Sequence, residues 1–209
     1  MLNKIKVIGK ILPLELKEKS TTQELLVYFS LIVVNPNEAR TVLRCHASGK
    51  VAIELEKEAR EGEMVEVRGY LRNEKEGRQI IVRVQEFTKL ENIENVSLFN
   101  QARLLGKVVT DLEISRKSED NSKIVSFKVE IPTKENKLNA FFCRAQGELA
   151  LEITNQVKKR DVILLEGFLQ TKKVNSGEDI YPEKVVRISS FICQSFVRLD
   201  TATVSDFYS

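Results

Sequence analysis

The sequence predicts an all-β protein made of two small five-stranded Greek-key barrels in tandem. Three observations predict it: an internal repeat, apolar alternation with a period of two in both copies, and one short helical stretch at the same place in each. The repeat comes first, because a fixed period constrains everything else. CHASGKVAIEL at 45–55 and CRAQGELALEI at 143–153 share Cys, Ala, Gly, Ala and Glu in register, 98 residues apart. At the same offset VEVRGYLR (65–72) meets ILLEGFLQ (163–170), and IKVIGK (5–10) meets ARLLGK (102–107) at an offset of 97. These blocks divide the chain into a first domain at 1–90, a connector at 91–99, a second domain at 100–195 and a short C-terminal tail at 196–209.

Each copy has the same order of elements. Strand-like residues surround Gly9 and Gly106. A β-rich run follows at 25–34 and 124–131, and a third strand at 41–47 and 139–145. A Gly then opens a helical stretch, 49–60 and 147–159, apolar in the first copy at Val51, Ile53, Leu55 and Ala59. A fourth strand covers 63–72 and 161–171, and a fifth 79–88 and 183–192. Five strands with one short helix between the third and fourth are the wiring of an OB-fold. The faces agree between copies. Val27, Phe29, Leu31 and Val33 correspond to Val125, Phe127, Val129 and Ile131, all apolar at alternate positions, so this face is predicted to fill the barrel. Leu43, Cys45 and Ala47 match Phe141, Cys143 and Ala145, and Val65, Val67 and Leu71 match Ile163, Leu165 and Leu169. Gly69 and Gly167 fall on the same inward parity, where a barrel strand bends and a side chain would crowd the interior.

Composition excludes several classes. No run approaches the ~18 apolar residues of a membrane span. MLNKIKVIGK begins as a strand and has neither a signal-peptide apolar core nor transit-peptide character, so the expected location is a bacterial cytoplasm and nucleoid, or an organelle that encodes the protein. Cys45, Cys143 and Cys193 show no metal-ligand spacing and read as buried thiols. His46 is the single histidine, expected on an exposed strand face with no catalytic partner. No nucleotide, nucleophile-elbow or zinc-protease motif is present, so neither an enzyme nor a cofactor is expected. Residues 1–90 and 100–195 each carry 16 basic and 13 acidic side chains, a mild cationic excess in both domains. The connector holds Ile93, Val96 and Leu98 without Gly or Pro and suits a packed segment.

NKIKVIGKI, the Gly49–Lys50 pair that opens the helix, EGEMVEVRGYLR and EGRQIIVRV resemble the bacterial and organellar single-stranded-DNA-binding protein family. LLGKVVTDLE, KRDVILLEGFLQTK and the strand from Tyr181 to Ser190 carry the same likeness in the second copy, so it spans nearly the whole chain. The resemblance implies sequence-independent binding of single strands, with bases stacked on aromatic rings and phosphates neutralised by lysine and arginine. It also implies an assembly of four OB domains, which two copies of this chain would supply as a homodimer, or membership of a larger complex. The sequence departs from that pattern. It has no Trp, and the positions where the family places stacking aromatics in the third strand are Val42, Ser48, Ala140 and Gln146. Its tail, FVRLDTATVSDFYS, is short, and Asp206-Phe207-Tyr208 only echoes the family's acidic, aromatic tip.

The candidate nucleic-acid contacts in the first domain are Lys4, Lys6, Lys10, Arg44, Lys50, Arg68 and Arg72, with Tyr28 and Tyr70 as stacking rings. In the second they are Arg103, Lys107, Lys128, Arg144, Lys172 and Lys173. Phe142 and Phe168 share the outward parity and read as an interface between OB domains or between chains, because an exposed Phe marks a contact surface, with base stacking as the other reading. Two functions remain open: binding of single-stranded DNA or RNA in replication, recombination or repair, and a non-catalytic structural subunit that uses the OB scaffold for protein contacts. Fold alone does not choose between them.

Overall fold

The computed structural model describes residues 2–18, 25–74, 79–91, 99–117, 121–133, 138–175 and 185–199. The first repeat runs β1 (Asn3–Ile11), β2 (Glu15–Glu18), β3 (Leu25–Val34), β4 (Arg40–Ser48), α1 (Gly49–Glu58), β5 (Met64–Glu74) and β6 (Gln79–Lys89). The second runs β7 (Phe99–Val108), β8 (Glu113–Arg116), β9 (Lys123–Pro132), β10 (Leu138–Gln146), α2 (Glu148–Gln156), β11 (Val162–Asn175) and β12 (Val185–Leu199). By their contacts the residues fall into two compact units, one of Lys4–Gln101 with Gln170–Ser189, the other of Met1–Asn3, Ala102–Leu169 and Ser190–Ser209.

In the first repeat the strands close into a five-stranded barrel. β1 pairs antiparallel with β5 along most of its length and then with β3 at Lys10 and Ile11. β3 pairs with β4, β4 runs parallel to β6, and β6 returns antiparallel to β5. In the second repeat β7 pairs with β11 and with β9, β9 with β10, and β10 runs parallel to β12. β2 and β8 were not foreseen from the sequence. Each is four residues long, too short to show an alternation, and is held by pairing to β3 or β9; all of β8 is exposed.

The inward positions on β3, β4 and β5 and on their counterparts are buried in both repeats, from Val27 and Leu43 to Ile163 and Leu169. Burying a side chain of this size stabilises by roughly 1.5–3 kcal/mol. All three cysteines are buried, free thiols. Burial pushes the Cys45 thiol well above its ordinary value, and burial, followed by the neighbouring Cys193, does the same to Cys143. Gly69 owes its place to a neighbouring backbone rather than to the barrel interior: a Cβ there would lie 2.0 Å from the Arg83 carbonyl oxygen. The register shifts between Arg68 and Gly69 at that point. Gly167 repeats the contact, 1.9 Å from the Ile192 carbonyl oxygen.

The helices are shorter than the sequence suggests, ending at Glu58 and Gln156. α1 buries Ala52 and Leu55, with Ala59 at its C-cap, so its inner stripe passes beside Val51 and leaves Ile53 at 43% exposure. α2 does the same with Ala150 and Ile153, and leaves Leu151 outside. The unit containing the first repeat also includes two polar ties. Asn100 Nδ2 donates to Asn35 Oδ1 at 2.8 Å. The Thr171 N–H donates to Thr41 Oγ1 at 2.9 Å, and Thr171 Oγ1 lies 3.1 Å from Ser189 Oγ. Most of the connector expected at 91–99 lies outside the described residues.

Candidate nucleic-acid interface

Because strand side chains alternate, Val42, Arg44, His46 and Ser48 share the outward face of β4. Register brings three more side chains beside His46. Tyr28 of β3 lies opposite it, Arg83 of β6 opposite it on the other side, and Tyr70 of β5 opposite Arg83. The row Tyr28–His46–Arg83–Tyr70 therefore crosses four strands of the barrel wall. The Tyr28 and His46 rings are stacked, with centroids 4.3 Å apart and planes 15° apart. Arg83 Nη1 donates to the imidazole, contacting Nδ1 and lying 3.1 Å from Nε2, and its Nη2 reaches Ser48 Oγ at 3.4 Å. His46 is consequently 8% exposed, which overturns its expected place on a free surface. The reason is lateral: a ring on one side and a guanidinium on the other cover it. Tyr28 and Tyr70, at the ends of the row, stay half-exposed.

The second repeat has Ser126 opposite Arg144, and Arg144 opposite Ile192, at the corresponding places. Phe168 stands where Tyr70 stands in the first repeat, but it is only 5% exposed. Phe142 is half-exposed, beside Lys128 on β9.

Acids neutralise several of the candidate cations. Glu66 holds Lys6 at 2.9 Å and Arg68 at 2.7 Å. Partial burial raises the Glu66 pKa, but the hydrogen bonds from Lys6 and Arg68 outweigh it and leave the carboxyl below the ordinary range. Lys6 Nζ also lies 5.8 Å from the centre of the Phe99 ring. In the second repeat Arg103 pairs with Glu166 at 2.7 Å. Arg44 Nη1 donates to Gln79 Oε1 at 3.2 Å. Lys4, Lys10, Lys50, Arg72, Lys107 and Lys128 are exposed and make no ion pair among the described residues.

The chain shares its fold with single-stranded DNA binding protein. The wild-type protein from Thermus aquaticus superimposes with a TM-score of 0.74 at 16% identity, covering 95% of this chain and 93% of that one. A deletion mutant of the same Thermus aquaticus protein gives 0.74 at 17% identity, covering 95% of both chains. At this identity the likeness shows the fold. No protein-family model matches the chain, and no curated protein matches it by sequence.

Against that fold, the structure gathers Tyr28 and Tyr70 into one row, with Arg44 and Arg72 on the same wall of β4 and β5. Lys50 is exposed in the first turn of α1. Arg144 is half-exposed on β10. Lys172 and Lys173 lie on β11, and their side chains, like Tyr181 and the tail tip, fall outside the described residues. Sequence reasoning missed Arg83. The signal was available in IIVRV at 80–84, where one basic residue interrupts an apolar strand, but only the register with His46 shows what it does. Among the described residues no group of His, Cys, Asp and Glu is placed to hold a metal ion, and no helix is long and apolar enough to cross a membrane.

Proposed function

We propose that this chain binds single-stranded DNA without sequence preference, as two tandem OB-fold modules acting in replication, recombination or repair. The single observation that carries the reading is the row Tyr28–His46–Arg83–Tyr70 on the wall of an OB barrel. Two half-exposed rings offer π-faces to bases, and exposed Lys4, Lys10 and Arg72 on β1 and β5 supply charge for phosphates. The fold likeness to a single-stranded DNA binding protein supports the same reading. The proposed role is non-catalytic. Two copies of the chain would supply four OB modules as a homodimer, working in a bacterial cytoplasm and nucleoid or in an organelle that encodes the protein. RNA single strands present the same rings and phosphates and are the alternative ligand.

A second reading is favoured by the second repeat. Phe142 is half-exposed there, and Ile114, Leu138, Leu151 and Val197 stand exposed. These features suit a structural subunit whose outer face meets protein. A labelled oligonucleotide in a gel shift at two salt concentrations separates the two. Strong binding that weakens steeply with salt supports the nucleic-acid reading, and no binding at low salt with micromolar protein leaves only the structural one.

A further inference from the structure

We infer that bases are held by the first repeat alone, on Tyr28 and Tyr70, with His46 and Arg83 as positioning residues, and that the second repeat contributes charge but no base stacking. The inference rests on the nucleic-acid reading above and assigns the work within it.

The first row is built to present its rings. His46 is almost fully covered, lies flat against Tyr28 and is tied through Arg83 to Ser48. A ring supported in this way has lost much of its freedom before any ligand arrives, so binding does not have to supply that ordering. Tyr28 and Tyr70 stand three strand spacings apart, about 14 Å along the wall. They therefore receive different bases rather than the two faces of one.

The second row has lost each part of this device. Ser126 replaces the stacked ring, Arg144 the imidazole, and Ile192 the bridging guanidinium. The one ring that remains, Phe168, is closed to a base by its burial. The backbone shows that these are true equivalents. The Gly69 approach to the Arg83 carbonyl recurs as the Gly167 approach to the Ile192 carbonyl, at 2.0 and 1.9 Å. The difference between the repeats thus lies in the side chains of the row, over matching strand pairings. Phe142 is half-exposed but stands one step along β10, at the position Arg44 has in the first repeat. The exposed Lys107 and Lys128 leave the second repeat able to meet phosphates.

The test uses the full chain, a labelled oligo-dT and an abasic deoxyribose-phosphate strand of equal length at one salt concentration. Wild type is expected to prefer oligo-dT. Y28L and Y70L should each lose about 5- to 150-fold on oligo-dT and nothing on the abasic strand. Y28F, which keeps the ring, should restore binding, and F142L should leave both affinities unchanged. Photocrosslinking of wild type to iododeoxyuridine-substituted oligo-dT, which needs no variant to fold, should label Tyr28 or Tyr70 and not Phe142. Crosslinks at Phe142, or an F142L loss equal to that of Y28L, overturn the inference. Equal wild-type affinity for the two strands overturns it too and leaves polyanion binding intact. Failure to bind either strand overturns the proposed function itself.

Discussion

Gly69 and Gly167 have the least room of the described strand glycines. The atom a Cβ would strike is a backbone carbonyl of the neighbouring strand, which cannot rotate away as a side chain end can. Gly69→Ala is expected to cost about 3 kcal/mol, the upper end of overpacking in a core, read as a lower urea midpoint at unchanged slope. Glu66 gives a prediction of a different kind. Its carboxyl is held below its ordinary range by Lys6 and Arg68. A carboxyl depressed in the folded state contributes stability that is fully present above its unfolded pKa, about 4.3, and is lost as pH falls through the lower folded value. Glu66→Gln should therefore narrow the gap to wild type below about pH 4.3 and leave a difference of under about 1 kcal/mol near neutrality, since both partners are partly solvated. Thermal midpoints across an acid series would show it. At this scale the expectation of an exposed His46 fails. Parity puts it on the outer face, and it does lie there, but burial depends on the neighbours that strand register brings alongside.

The helices and strands show which local patterns carry information. α1 has apolar residues on more than one side, and only packing separates them. Leu55 is fully buried, and Leu55→Ala should cost about 3 kcal/mol. Ile53 is 43% exposed, and Ile53→Ala should stay within about 0.5 kcal/mol. Chemical denaturation of the two variants side by side checks the contrast. The long strands were legible because a period of two, seen twice at the same offset, leaves one consistent choice of inner face. Val27 to Val33 and their partners Val125 to Ile131 are buried as the alternation requires. β2 and β8 were not legible, because an edge strand of four residues is defined by what it pairs with. The burial of Phe168 was hidden for a related reason: its parity is the same as that of the half-exposed Tyr70, so the pattern alone gives both the same surroundings.

For the molecule as a whole, the mild positive charge of each repeat overstates what is available to a polyanion. Lys6, Arg68 and Arg103 already have carboxylate partners. Lys4→Gln and Arg72→Gln should each lower the slope of log affinity against log salt by about 0.7 if each meets one phosphate. Lys6→Gln should change it less, because Glu66 has neutralised that charge in the free protein. Fluorescence anisotropy over a salt series gives the slopes. The repeat, the cysteines and the inner faces made the fold readable from the chain. The row at His46 was not readable, because its four members come from positions 28, 46, 70 and 83 and meet only through register. The unit built around the first repeat includes Gln170–Ser189, and the Thr41 hydroxyl accepts the N–H of Thr171. A ribosome working at about 5 residues per second delivers residue 101 on the order of 10 s before residue 170. The Thr41 hydroxyl of a growing chain therefore lacks this donor until residue 171 is made, and a chain truncated after the first repeat would yield a barrel missing its own clasp.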